Sequence, residues 1–327
     1  MTEQPRLKPY ALAGDIGGTQ MRAALVDRDG VLRNKASAET RPRDGFDVAT
    51  RRFVELLRQA SRGVPPGGIA AVGVSSAGPM DTTTGVYYNP PNLHGWDRKT
   101  MKPEIAASLR LTTVMGHDAR VAAIAEARWG VARGMKNVIY VTVSTGIGGG
   151  ILVDGRPVNG VQGLAGEMGH IVVDPGGTAC NGGCRGCLEV IASGGGVANT
   201  ARRRIAAGEK TRILELSGGD PERIVGRTVF EAAALGDAMA LDLVERAIAA
   251  LGIVLGGLLN TFAPEILIVG GSVGIEGLRP YWDRLDAAIR SRSLLRYHEK
   301  APLAIAALGD DVGLMGAAAI AFDAAET

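Results

Sequence analysis

The stretch LAGDIGGTQMRAALVDRDG, residues 12–30, decides the fold. An apolar strand from Tyr10 to Asp15 runs into Gly17-Gly18-Thr19, and a second strand, Met21 to Val26, follows at once. The turn Asp27-Arg28-Asp29-Gly30 leads to a third strand near Val31 to Lys35. About 130 residues later the pattern restarts. Asn137 to Val143 is a β-branched strand, Ser144 to Gly149 is a Gly-rich turn, Gly150 to Val153 is a strand, and Asp154-Gly155 is a hairpin turn. A repeat at that distance is too long for a solenoid and predicts a duplicated domain.

Other elements read outward from these two hairpins. Phe46 to Ala60 places Phe46, Phe53, Val54, Leu56 and Leu57 on one side of a helix. Ile69 to Ser75 has the composition of a buried strand and ends at Ala77-Gly78-Pro79. Thr82 to Gly95, rich in Pro, Asn and Gly, is loop. Ala119 to Val131 is an Ala-rich helix with Asp118 directly before it. A long helix is expected over Asp237 to Thr261, with Gly252 and Gly256 one turn apart for close helix packing. Glu265 to Val269 is a strand closed by Gly270-Gly271-Ser272, and Asp310 and Asp311 are expected to cap a last helix from Val312 to Phe322.

With 327 residues the chain is long for a single core, so one large or two medium domains are expected. Its 36 Lys and Arg against 34 Asp and Glu leave a net charge of +2 with no basic block, which argues against nucleic acid as a partner. MTEQPRLKPY has no apolar core of a signal peptide, and the longest apolar run, 247–259, is too short to span a membrane. A cytoplasmic location is therefore expected.

All three cysteines, Cys180, Cys184 and Cys187, fall within eight residues, and His170 lies just upstream. Three thiols and an imidazole form the ligand set of a closed tetrahedral zinc site; the bland alternative is three buried thiols and a surface histidine. Glu167 and Glu189 flank the cluster. The two Gly-rich turns suit a phosphate chain, because glycine lets backbone N–H groups approach phosphate oxygens and a hydroxyl adds a donor. Each could equally be a tight hairpin; it is the repetition that favours phosphate. Asp15 could hold magnesium through water. Asp118 reads either as a helix N-cap or as a general base. Gly270-Gly271 either borders an adenosine or simply turns the chain.

These residues carry a family resemblance over essentially the whole chain. It resembles the ROK family of bacterial sugar kinases and repressors, within the actin-like ATPase superfamily. The family's DxGGT motif stands here as Asp15 to Thr19 and its second phosphate turn as Thr145 to Gly149 or Gly150. Its GExGH and CxCGxxGCxE signature resembles Gly166 to His170 and Cys180 to Glu189. The resemblance implies an α/β, duplicated ribonuclease-H-like fold, with two lobes around a cleft where ATP and sugar meet. Residues 1–118 with 309–327 would form the N-terminal lobe and 119–308 the C-terminal lobe. ATP would be held by Asp15, Gly17, Gly18 and Thr19 in the first lobe. Thr145, Gly146, Gly148, Gly149, Gly270 and Gly271 would serve it in the second. It further implies Asp118 as catalytic base, and His117, Glu167, His170, Glu189 and Asn92 around the sugar. Zinc would take His170, Cys180, Cys184 and Cys187, the histidine using one ring nitrogen for metal and the other for sugar.

Two departures stand out. The family's middle cysteine falls on Gly182, so Cys184 is inferred as the third thiol ligand. His117 replaces the usual Asn, exchanging an amide for one donor and one acceptor in a different geometry. The expectation is an ATP- and magnesium-dependent hexose kinase acting at the 6-hydroxyl, glucokinase first, with fructokinase and N-acetylhexosamine kinase as alternatives. From another class, a sugar-sensing repressor would carry an N-terminal helix-turn-helix, and only about ten residues precede the first strand. A homodimer is implied by the resemblance alone.

Overall fold

The computed structural model describes residues 8–294 and 301–326. The chain divides into two compact units, one of residues 1–134, 157–165 and 307–327, the other of 135–156 and 166–306. In the first unit, β1 (Tyr10–Ile16), β2 (Gln20–Asp27), β3 (Leu32–Glu39), β4 (Ile69–Ser76) and β5 (Thr113–His117) form a sheet of order β3-β2-β1-β4-β5. β1 pairs antiparallel with β2 and parallel with β4, and β4 pairs parallel with β5.

The second sheet holds β6 (Val138–Val143), β7 (Ile147–Val153), β8 (Arg156–Pro157), β9 (Ile266–Gly270) and β10 (Leu303–Ile305), in the order β10-β9-β6-β7-β8. β6 pairs antiparallel with β7 and parallel with β9, which pairs parallel with β10. Counted from its own first strand and read from β8, this is again the order 3-2-1-4-5, and the directions of the 1-2, 1-4 and 4-5 pairs are the same. The duplication expected from the two hairpins is therefore present in the topology, and the fold is α/β with a ribonuclease-H-like sheet in each unit.

Alternating side chains explain how the first sheet is covered on both faces. Leu12, Met21, Val72 and Val74 share a core with Phe53 and Leu57 of helix α1 (Phe46–Ala60). The opposite face carries small residues, Ala11, Ala13, Ala24 and Ala71, against Ala317, Ala321 and Phe322 of the last helix (Val312–Glu326). That helix lies so close that a Cβ at Gly73 of β4 would collide with the Ala317 carbonyl. Helices α2 (Lys102–Leu109) and α3 (Asp118–Trp129) complete the unit.

In the second unit, α4 (Leu188–Ala192), α5 (Gly194–Ala206), α6 (Arg212–Leu216) and α7 (Gly226–Ala234) lead to the long α8 (Ala238–Phe262). Asp237 caps α8, its side chain accepting from the Ala240 N–H. A Cβ at Gly252 would lie 2.8 Å from the Ala288 carbonyl oxygen, and one at Gly256 2.9 Å from that of Ile289. Both neighbours belong to α9 (Trp282–Arg290), so these glycines do serve close packing. The last helix, α10, differs from expectation at its start. Asp310 and Asp311 do not cap it; they lie in a 3-10 turn, Gly309–Asp311, that leads straight into the helix. Asp311 instead pairs with Lys35 at 2.5 Å, and the Asp310 carbonyl accepts from Arg22.

Candidate functional site

Three parallel strands of the first unit end together. The register sets Ile16 beside Ser76 and Ser76 beside His117, so the segments leaving β1, β4 and β5 emerge at one edge. The carboxyl ends of adjacent parallel strands are where α/β sheets place ligands. Those segments carry Gly17-Gly18-Thr19, Ala77-Gly78 and Asp118.

The first turn is held by its own backbone. The Gly17 N–H donates to Gln20 O at 2.9 Å, and Thr40 Oγ1 donates to Gly17 O at 2.7 Å. Asn92 packs directly on Gly18, where a Cβ would lie 2.8 Å from that of Asn92. A candidate sugar residue and a candidate phosphate residue are thus neighbours. Asp15 faces Arg22 across the hairpin, which donates from Nη2 at 2.6 Å and Nε at 3.2 Å. Burial pushes the Asp15 carboxyl above its ordinary value, with Arg22 opposing.

Asp118 is the first residue of α3, and His117 occupies the N-cap position. Its Oδ1 accepts from the Ala119 N–H at 2.6 Å and lies 3.0 Å from His117 Nδ1. Of the two readings of Asp118, the N-cap is therefore not the one seen. Burial alone would raise its carboxyl. The charge and hydrogen bond of His117, with Ala119 N–H and Arg120, outweigh that and hold it below 3.8. The side chain is still 46% exposed, so a hydroxyl can reach it. The His117 ring lies against Gly78, where a Cβ would come within 2.7 Å of Cδ2.

In the second unit the hairpin is tighter than the sequence implies. β7 starts at Ile147, so Gly148 and Gly149 lie in the strand, paired with Thr142 and Val141. Glycine is needed there because the Met168 side chain occupies the place of a Cβ at Gly149. The turn is Ser144 to Gly146, closed by Ser144 N–H donating to Gly146 O at 2.9 Å. Gly270 ends β9 beside Thr142, and Gly271, at φ +81°, lies against the Val143 carbonyl. Beyond it opens a cavity of about 500 Å³ lined by Phe230, Ser272, Val273, Gly277, Pro280 and Tyr281.

The cysteine segment converges on His170. The ligand atoms of His170, Cys180, Cys184 and Cys187 all lie within 4.8 Å of one another. Nδ1 of His170 is 3.6 Å from both Cys180 Sγ and Cys184 Sγ. Zn–S near 2.3 Å and Zn–N near 2.05 Å give a tetrahedron with N···S edges of about 3.5 Å, so the donor set suits such an ion. Cys184 lies within this cluster despite its shifted spacing. Burial and the two neighbouring thiols push Cys184 up to about 12. Burial also raises Cys180, whereas the Val190 N–H and His170 outweigh burial at Cys187 and lower it. Thiols this close resist ionising together, a conflict that a bound cation removes.

Glu167 directly precedes the 3-10 turn Met168–His170 and accepts the His170 N–H on its carbonyl at 3.0 Å. Glu189 sits in the first turn of α4, and its Oε2 accepts the Ile147 N–H at 2.8 Å. Sequence reasoning missed this second contact of Glu189, and also Arg22 and Arg120. Arg22 was within reach, since a hairpin closed at 17–20 sets it opposite Asp15. Arg120 is buried and donates to the Gly163 and Ala165 carbonyls, at and just past the end of the 3-10 turn Val161–Gly163, positions that no periodicity reveals.

A family model, the ROK family, matches residues 11–324. The chain belongs to the ROK family. Among its relatives, the glucokinase of Thermotoga maritima is 31% identical over 97% of this chain and 98% of its own length. The N-acetylmannosamine kinase of Citrobacter koseri is 32% identical over 95% of this chain and 98% of its own. A solved ROK family glucokinase from Streptomyces griseus, in complex with glucose and AMPPNP, is 30% identical with a TM-score of 0.77 and covers 95% of this chain and 98% of that one. Among the described residues no helix is long and apolar enough to cross a membrane.

Proposed function

We propose that this ROK family protein is an ATP-dependent hexose kinase of the glucokinase type, phosphorylating the 6-hydroxyl. The observation that carries the reading is Asp118. It is half-exposed, kept ionised by His117, and placed at the strand ends that also present the first Gly turn. A carboxylate held below its ordinary range is a weak base. That suits phosphoryl transfer, where the transition state is loose and the residue mainly orients the hydroxyl and takes its proton late. Catalysis is then positioning and charge neutralisation.

In the first unit Asp118, His117 and Asn92 serve the sugar, Gly18 and Thr19 donate to phosphate, and Gly17, whose N–H is held by the Gln20 carbonyl, shapes the turn. Asp15 suits magnesium held through water, because its Oδ2 is already committed to Arg22. Magnesium, when bound, neutralises charge on the transferring phosphates. In the second unit Thr145 and Gly146 serve phosphate from the turn, and Gly148 and Gly149 support it from the adjoining strand β7. Gly270 and Gly271 border the adenosine, for which the adjoining cavity has room. Glu167, Glu189 and His170 accept from sugar hydroxyls. With Nδ1 on the side of the thiols, Nε2 of His170 is the nitrogen left for sugar, and zinc held by His170, Cys180, Cys184 and Cys187 would fix the ring. A homodimer in the cytoplasm, without nucleic-acid or membrane partners, completes the reading.

The acceptor set favours a neutral sugar. Glu167, Glu189 and Asp118 would repel an anionic one. The N-acetylmannosamine kinase relative supports a second reading, an N-acetylhexosamine kinase, and His117 is the residue whose geometry bears on the choice. Values of kcat/KM with glucose, mannose, fructose, N-acetylglucosamine and N-acetylmannosamine at saturating Mg-ATP decide between them. Glucose is expected to lead. An N-acetyl sugar ahead by more than about tenfold, roughly 1.4 kcal/mol of transition-state binding, replaces the glucokinase reading.

A further inference from the structure

The second Gly turn is gripped from the side of the cysteine cluster. The Ser144 carbonyl accepts from Gly194 N–H at 2.7 Å, and the Thr145 carbonyl from Gly195 N–H at 3.0 Å. Both donors are the first residues of α5. Among the described residues, the side chain that holds the turn's exit is Glu189, through Oε2 on the Ile147 N–H at 2.8 Å. That oxygen fills the space beside Gly146, where a Cβ would lie 2.6 Å from it. Glu189 is two residues past Cys187, so its backbone is fixed by the same segment that holds the thiols.

We infer that Glu189 is a positioning residue for the nucleotide as well as a sugar acceptor. One carboxylate oxygen pins the N–H that ends the second phosphate turn, so the turn keeps its shape before any sugar arrives. The inference rests on the kinase reading for the identity of the turn. It goes beyond that reading by giving a sugar-side carboxylate a role in ATP affinity. The bonding needs an acceptor oxygen at the right reach and does not need a charge. Glutamine keeps the reach and loses the charge; aspartate keeps the charge and withdraws the oxygen by about one methylene.

Binding of Mg-AMPPNP without sugar, measured by calorimetry on the full-length wild type, Glu189→Gln and Glu189→Asp, separates these. Glu189→Asp should weaken binding by about tenfold, the low end for losing a hydrogen bond to a charged group, and Glu189→Gln by less than about threefold. Hydrogen exchange over residues 144–150 should rise in the Asp variant only. Unchanged binding by Glu189→Asp, or equal losses in both variants, overturns the inference. If the wild type itself does not bind Mg-AMPPNP, the kinase reading of the turn fails instead.

Discussion

Asp118 and His117 show what one contact does to a carboxylate. Taking the base assignment, Asp118→Asn should lower kcat by about a hundredfold to ten-thousandfold, the usual range for a general base. Folding and AMPPNP affinity should be retained, because Asn leaves the start of α3 intact. Near-normal turnover would remove Asp118 from the chemistry. The pH profile carries a sign. Asp118 is held below the ordinary aspartate value, so activity that depends on its ionised form persists through the range where a free aspartate protonates. It is lost as pH falls through a value lower still. His117→Ala removes the largest lowering influence, so the acid limb of kcat/KM should move to higher pH. A limb that stays in place would mean that His117 does not set the charge on Asp118. At the cysteines, Cys184→Ser should lower zinc content measured by metal analysis, reduce thermal stability and raise KM for hexose. Full zinc in this variant would exclude Cys184 as a ligand.

At the scale of elements, local sequence makes glycine legible in one place and misleading in another. Gly252 and Gly256 were legible as a packing face because they stand one turn apart in a long apolar helix, and α9 fills their side. Gly252→Ala should therefore cost about 1–3 kcal/mol by overpacking, read as a fall in the denaturant midpoint, despite alanine's better helix propensity. An increase in stability would mean that α9 shifts without strain. Gly194-Gly195-Gly196, by contrast, looks like a helix breaker and yet begins α5. Three contacts override propensity there. Ser193 accepts the Gly196 N–H, Gly194 and Gly195 bond to the second turn, and Gly226 packs against Gly194. None is visible in a window of local sequence. β5 escaped for a similar reason, being five residues long and defined by its pairing with β4.

For the whole molecule, the two hairpins carried most of the fold. Their repetition predicts a duplication, and both sheets have the order 3-2-1-4-5. The cysteine spacing likewise brought out the Cys3His cluster. Hidden from the sequence were the cross-connections, such as Glu189 with Ile147 and Arg120 with the Gly163 and Ala165 carbonyls, because each joins segments through tertiary register. The central claim, that this chain transfers the γ-phosphoryl group of ATP to a hexose 6-hydroxyl with Asp118 as base, is tested most directly by phosphorus NMR. Purified protein is incubated with glucose, ATP and magnesium, beside the Asp118→Asn variant. The account predicts stoichiometric ADP and a hexose 6-phosphate resonance from the wild type and almost none from the variant. ATP consumed without a sugar phosphate, or equal product from both proteins, would contradict it.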